Sequence, residues 1–195
     1  MTRREITRAD ILPLSQYAAE RKERRARLVA HKRNRRVEVG PLITFYFESY
    51  ETMWHQVHEM LFIEKGGEAQ IADELAAYNP LIPQGRDLVA TMMIEVDDAQ
   101  RRPAILARLG GIEDHIALEF SGRRVRAEPA DDAERTTPDG KTSSVHFLRF
   151  VFTDADAAAF KAASGQVVLA LSHPAYGHMA VMPQEVRAAL AADLG

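Results

Sequence analysis

Short segments with the composition of β-strands recur along the chain, and segments with helical periodicity lie between them in no regular order. The strongest strand signal covers residues 144–152, which are dense in Val, Leu and Phe. Further strands are predicted over residues 37–47, 88–96, 116–120, 123–128, 167–173 and 176–182. Because strands and helices do not alternate strictly, the order favours an α+β fold with a mostly antiparallel sheet of about six strands flanked by helices.

Helical signals place a basic helix near the N-terminus and further helices between the strands. The predicted helices begin at Thr7, at Ser15, at Tyr50, after Gly67, at Asp97 or Asp98, after Thr153 and at Pro183. The length of 195 residues, with 46% hydrophobic and 27% charged residues, suits one globular domain over residues 1–195. Within it we distinguish a basic helical N-terminal arm, residues 1–36, from an α+β core, residues 37–195.

Positive charge is concentrated in residues 21–36, which hold nine Lys or Arg residues and one acid, a local net charge of +8. The rest of the chain holds 16 Lys or Arg and 27 Asp or Glu residues, a net charge of −11. We expect this helix to contact an acidic partner, either a redox protein or a second subunit. The candidate partner-binding residues are Arg21, Arg24, Arg25, Lys32, Arg33, Arg35 and Arg36. Nucleic acid is an alternative partner, although no Phe, Tyr or Trp lies among these cations to stack on bases.

The chain contains no Cys, which excludes disulfides, a Cys nucleophile and any thiolate-ligated cluster. No apolar run approaches the ~20 residues that a membrane helix needs, and the polar N-terminus lacks the pattern of a signal peptide. We therefore expect a cytoplasmic protein. Phosphate-loop, dinucleotide-binding, zinc-protease and serine-hydrolase motifs are all absent from the sequence.

Four ionisable residues fall on predicted apolar faces: Glu64, Glu95, His146 and His173. Burying an unpaired charge is costly, so we expect these groups to pair with one another, bind a ligand or reach water at the end of an element. Together they could hold a first-row metal such as iron, manganese or zinc, because His and Glu both suit these ions. The alternative is structural: the carboxylates lie at element ends, and His146 is a hydrogen-bonded core histidine.

A second cluster lies in the predicted helix 50–64. His55 and His58 are separated by three positions, and His55 and Glu59 by four, so a metal clip on one helix is sterically possible. A solvated polar face explains the same three residues without a ligand.

Several phrases of the sequence resemble one family. In chain order they are RLVAHKRNRRVEVGP, EMLFIEK, AYNPLIP, ATMMIE, HFLRF and HPAY. In this order they make the chain similar to an uncharacterised bacterial family, domain of unknown function 3501, from about Thr7 to the C-terminus. The resemblance implies a stand-alone bacterial protein whose genes lie near those of rubrerythrin-like di-iron proteins and iron–sulfur oxidoreductases. It adds Glu59, Arg149 and Tyr176 as secondary candidates, because they lie within these phrases.

Three functions remain open from the sequence. The first is an accessory or binding protein of a bacterial redox or oxidative-stress system that docks through the basic helix. The second is an enzyme or metal-binding protein that uses the His and Glu cluster. The third is a nucleic-acid-binding module.

Overall fold

The structure of the chain is a computed structural model that describes residues 3–130, 134–138, 140–162 and 164–195. Within these ranges, eight strands form one antiparallel sheet. They are β1 (Arg36–Val39), β2 (Ile43–Phe47), β3 (Asp87–Ile94), β4 (Ile116–Phe120), β5 (Arg123–Pro129), β6 (Val145–Val151), β7 (Val167–His173) and β8 (Tyr176–Val181). Their spatial order is β1-β2-β3-β6-β5-β4-β7-β8.

The sheet curls into a nearly closed barrel because its two edge strands, β1 and β8, approach each other. The hydroxyl of Tyr176 bridges this seam. It donates to the carbonyl oxygen of Val39 (2.8 Å) and accepts from the backbone N–H of Leu42 (3.0 Å). Gly40 suits the turn between β1 and β2, since its φ is +69° and a Cβ there would lie 2.6 Å from the Tyr176 hydroxyl oxygen.

The mixed α and antiparallel β class is confirmed, but the sheet has eight strands rather than about six. The predicted strand 37–47 divides at Gly40 into β1 and β2. Residues 176–181 form a full edge strand paired with β7.

The helices of the described chain are α1 (Leu14–Arg33), α2 (Tyr50–Glu64), α3 (Gly67–Tyr78), α4 (Arg102–Leu106), α5 (Asp154–Ala162) and α6 (Gln184–Ala191). Short 3₁₀ turns occur at Arg8–Asp10, Asn79–Leu81 and Ile112–His115. The helix predicted to begin at Asp97 or Asp98 is shorter than expected, since α4 covers only Arg102–Leu106. None of the helices in these ranges combines the length and apolar character needed to cross a bilayer.

Two apolar clusters organise the structure. The first fills the barrel with the inward-facing half of each strand, such as Leu148 and Phe150 of β6. Helix α4 follows β3, and α5 and α6 follow β6 and β8, which run antiparallel to β3. Helix α4 therefore lies at one end of the barrel, and α5 and α6 lie at the other. Apolar residues of all three helices belong to the barrel core. The second cluster lies between α2, α3 and the outer face of the sheet, where Met53 and Val57 pack near Val89 and Phe147. This helix-covered outer face positions the candidate site.

Candidate functional site

His146, one of the predicted ligand residues, points into the barrel and is 1% exposed. Its Nε2 lies 3.0 Å from the backbone oxygen of Ser143 and 3.0 Å from the hydroxyl oxygen of Thr142. A carbonyl oxygen can only accept, so Nε2 carries a proton and donates. The other ring nitrogen, Nδ1, lies 3.7 Å from Oε2 of Glu113. These contacts tie the imidazole to the loop before β6.

His173, the second predicted histidine, ends β7 and is also buried. Its Nε2 lies 3.2 Å from the carbonyl oxygen of Gly110, and its Nδ1 accepts from the backbone N–H of Ala175 (3.2 Å). The His115 ring meets it edge-on, with centroids 5.1 Å apart. Both nitrogens of His173 are therefore engaged in backbone hydrogen bonds.

The two predicted carboxylate ligands lie elsewhere. Glu64 is the exposed last residue of α2 and accepts from the amide of Gln70 (2.8 Å). Glu95 is exposed on the outer surface after β3, where the hydroxyls of Thr44 (2.6 Å) and Tyr46 (3.1 Å) donate to its two oxygens. Within the ranges that the structure describes, no three His, Asp or Glu side chains are placed to hold a metal. The predicted four-residue metal site is not formed there.

Glu59, a secondary candidate, belongs to a network between α1 and α2. Arg21 donates two hydrogen bonds to its carboxylate (2.8 and 2.7 Å), and the Tyr17 hydroxyl donates a third (2.7 Å). The hydrogen bonds from Arg21 hold the pKa of Glu59 at about 2. Nδ1 of His55 lies 3.2 Å from the Tyr17 oxygen, and burial lowers the pKa of His55.

His58 completes the predicted metal clip, but its ring nitrogens are both engaged. Nε2 accepts from the backbone N–H of Leu12 (3.0 Å), and Nδ1 donates to the carbonyl oxygen of Trp54 (2.8 Å). Burial lowers the pKa of His58 to about 4. A clip through this residue would break both bonds. The alternative of a solvated polar face is also wrong, because His58 is 1% exposed.

The other two secondary candidates have structural contacts. Arg149 lies on the outer face of β6 and pairs with Asp87 and the carbonyl oxygen of Pro80. Tyr176 holds the barrel seam described above.

The basic segment divides into paired and unpaired cations. The paired ones are Arg21, Arg24, Arg27, Arg35 and Arg36, whose partners are Glu59, Glu20, Glu23, Asp193 and Glu38 in that order. The other four form no ion pair with any described residue; they are Lys22, Arg25, Lys32 and Arg33. Four of the seven predicted partner-binding residues are thus engaged internally, and Lys22, which is not one of the seven, forms no ion pair with a described residue.

Glu48 is the residue that sequence reasoning missed altogether. It lies in the two-residue link between β2 and α2, where Ser49 caps the helix. Its backbone N–H donates to the carbonyl oxygen of Val89 (2.7 Å), and its carbonyl oxygen accepts from Arg35 (3.1 Å). The backbone is therefore fixed on both sides. The side chain points outward from the barrel and is covered by the helices, leaving the residue 5% exposed.

The carboxylate of Glu48 is only half satisfied. The Thr91 hydroxyl donates to Oε1 (2.6 Å). The buried second oxygen, Oε2, has no hydrogen-bond partner in the part of the chain that the structure describes. A buried polar atom without a partner typically costs ~1–3 kcal/mol, and a charged one costs more.

Glu48 lines a cavity of about 380 Å³ between the outer sheet face and the helices. The other polar residues on its wall are Lys32, Tyr46, Thr52, Gln56, Tyr78 and Thr91. The apolar residues on its wall are Met53, Leu81, Met93, Val145 and Phe147. This volume lies at the lower end of the ~300–1,000 Å³ range of small-molecule pockets. A small, mostly apolar molecule with a few polar groups fits such a cavity.

The sequence carries a weak signal for this site. Thr44, Tyr46 and Glu48 alternate outward from β2, as every second residue of a strand does. An acid after a strand and before a helix cap is typical of a solvated link. Its burial arises from tertiary packing around the link, which the local sequence does not show.

The comparisons with known proteins agree with this architecture of a nearly closed antiparallel barrel under a helical layer. A crystal structure of a novel protein of unknown function from Burkholderia pseudomallei K96243 is 42% identical to the chain, covers 100% of both chains and gives a TM-score of 0.90. No curated protein matches the chain.

The family model described as protein of unknown function (DUF3501) matches residues 5–194. The chain belongs to this family, which confirms the resemblance seen in the sequence.

Proposed function

We propose that this protein binds a small molecule in the cavity lined by Glu48. The observation that carries the proposal is the buried Oε2 of Glu48, which lacks a hydrogen-bond partner among the described residues. A carboxylate held by Thr91 on one oxygen and by Val89 through its backbone is already oriented before a ligand arrives. Such preorganisation reduces the free energy that binding must supply.

The ligand must offer a hydrogen-bond donor to the carboxylate. An ionised carboxylate accepts and does not donate, so an ammonium, amide N–H or hydroxyl satisfies it. A charge-assisted bond of this type is roughly twice as strong as a neutral one. The surrounding Met and Phe side chains would exclude water from the bond.

The test is a ligand-observed NMR screen of small amines, amides and alcohols with apolar bodies. It compares the wild-type protein with the Glu48→Gln and Glu95→Gln variants. The amide introduced by Glu48→Gln retains an acceptor for Thr91 but carries no charge, so we expect binding at least tenfold weaker. Glu95 is also held by a threonine hydroxyl but lies outside the cavity, so its variant should bind like the wild type. Equal binding by the Glu48→Gln variant, or no binding by the wild type, contradicts the proposal.

A second candidate function is docking of an acidic partner on α1. The supporting observation is that the exposed residues Lys22, Arg25 and Arg33 follow one another at helical spacing around Val29, which is 67% exposed. Their charges are not neutralised by any described side chain. Under this proposal the partner is a redox protein of the kind implied by the family resemblance.

Charge reversal at these three cations tests the docking candidate. Affinity capture with a purified rubrerythrin-like protein as probe should weaken at least tenfold in the Lys22→Glu, Arg25→Glu, Arg33→Glu variant and with added salt. The double exchange Glu23→Arg, Arg27→Glu is the control, because it preserves an existing pair on the same helix. If neither added salt nor charge reversal weakens the capture, this candidate is contradicted.

No specific contact in the described ranges favours the nucleic-acid alternative. The cations of α1 without an ion pair to a described residue number four, and that face of the helix carries no aromatic side chain for base stacking.

A further inference from the structure

We infer that the ligand of the Glu48 cavity is a zwitterion of the amino-acid type, with its ammonium at Glu48, its carboxylate at Lys32 and an apolar side chain along the cavity wall. This inference rests on the proposed function and specifies the ligand class for the same site.

The two charged residues of the cavity carry opposite signs and do not neutralise each other. Lys32, in the last turn of α1, is partly buried and lines the same cavity as Glu48. No described carboxylate forms an ion pair with its ammonium group, and Glu48 is no exception. A ligand with one charge complements one of these residues and leaves the other unpaired. A ligand with both charges complements both.

The position of each charge sets the orientation. Glu48 is nearly fully buried and fixed by its backbone, whereas Lys32 reaches the cavity on a flexible stem. The compact ammonium of the ligand therefore suits the buried carboxylate of Glu48. The ligand carboxylate is bonded to the same carbon as the ammonium, so the flexible Lys32 side chain must extend toward it.

The rest of the cavity wall contains both apolar and polar residues. Met53, Met93 and Phe147 supply surface that can adapt to side chains of different shape, since Met has three flexible bonds. Gln56 and Tyr78 also line the cavity, and their side chains make no hydrogen bond with any described residue. They are available for the ligand carboxylate. The cavity thus favours an amino acid with a medium-sized apolar side chain.

The experiment is a titration of the full chain by isothermal calorimetry with three matched sets of probes. The amino acids are L-leucine, L-methionine and L-phenylalanine. For each we use the amine that lacks the carboxylate and the carboxylic acid that lacks the ammonium. We expect at least one amino acid to bind tenfold or more tightly than its own amine and acid.

Two variants assign the charges. Glu48→Gln should remove the advantage of the amino acid over its acid analogue, because the ammonium has lost its partner. Lys32→Met should remove the advantage over the amine while leaving binding of the amine unchanged. Glu95→Gln and Lys22→Met, which change an acid and a Lys outside the cavity, should preserve both advantages. Circular dichroism checks that each variant is folded.

The outcomes separate this inference from the function that it specifies. If the amine binds wild type as tightly as the amino acid, the zwitterion is wrong, but binding at Glu48 stands. If amino acids bind equally well to the Lys32→Met variant, the assignment of the carboxylate is wrong. If none of the nine compounds binds the wild type, the inference is overturned, and the broader screen of amines, amides and alcohols decides the proposed function separately.

Discussion

The end of the barrel and its helix-covered outer face both bury ionisable side chains, but they treat them differently. At the barrel end, His173 is buried with both ring nitrogens bonded to backbone groups, and His146 is held by the loop before β6. On the outer face, Glu48 is equally buried but has one oxygen bound by Thr91 and one without a partner among the described residues. Burial alone therefore does not identify a ligand site. Glu113 at the barrel end also has a buried oxygen without a hydrogen-bond partner among the described residues. Glu48 differs because it also lines a cavity.

Two carboxylates on the outer face, those of Glu48 and Glu95, also differ in how their oxygens are satisfied. Glu48 and Glu95 each accept a hydrogen bond of 2.6 Å from a threonine on the neighbouring strand. Tyr46 satisfies the second oxygen of Glu95, and water reaches the residue because it is exposed. Oε2 of Glu48 is buried and meets no second donor among the described residues. The difference arises from packing and not from residue type.

The largest expected effect is at the barrel end. His146→Ala leaves a cavity in the core and removes the partner of Thr142, so we expect the free energy of unfolding to fall by about 4 kcal/mol. Urea denaturation measures this loss. Ligand binding at Glu48 should be unaffected at temperatures where the variant is folded. A stable variant with altered ligand affinity would show that the barrel end takes part in binding.

The second largest effect on the free energy of unfolding is expected at Glu59, whose carboxylate accepts three hydrogen bonds between α1 and α2. The pKa of Glu59 is about 2 in the folded protein and 4.5 without these contacts, so its contribution of about 3 kcal/mol is present above pH 4.5 and is lost as pH falls toward 2. Glu59→Gln should therefore lower the free energy of unfolding at pH 6 much more than at pH 3. Urea titrations of both proteins at these two pH values measure the difference. An equal loss at both would assign Glu59 no such role.

Much of the fold could be predicted from the sequence. The strands from β3 onward and the helices α1, α2 and α3 agree in position with the periodicity, and both candidate histidines lie on buried faces as predicted. Glu64 and Glu95 also fit the apolar pattern, but Glu64 is the last residue of α2 and Glu95 directly follows β3. Both side chains are exposed there. A periodic pattern identifies a face and does not show how far the neighbouring layer extends.

The site itself could not be predicted, for the same reason. Glu48 is buried by helices docked over strands β2, β3 and β6, which are not consecutive in sequence. Strand order and helix docking decide which outward-facing residue is covered. Neither follows from local propensity. Barrel closure depends likewise on Tyr176, whose seam contacts lie far away in sequence.

The barrel seam gives a smaller effect. Tyr176→Phe removes one donated and one accepted hydrogen bond between β8 and the turn from β1 to β2, so we expect a loss of about 2 kcal/mol. Hydrogen exchange of the Leu42 amide should accelerate more than that of amides inside β3. Unchanged exchange at Leu42 would mean that the seam is held by other contacts.

The smallest effect concerns the Glu48 carboxylate itself and can be measured without a ligand. We measure the free energy of unfolding of wild type, Glu48→Gln and Glu95→Gln by urea denaturation without ligand at pH 7. Replacing a buried carboxylate that has one oxygen without a partner among the described residues should stabilise the protein, so Glu48→Gln should gain about 1 kcal/mol, while the exposed Glu95→Gln should change by less than about 0.5 kcal/mol. A loss of about 2 kcal/mol or more in Glu48→Gln would show that this carboxylate is a satisfied structural group and not a ligand site.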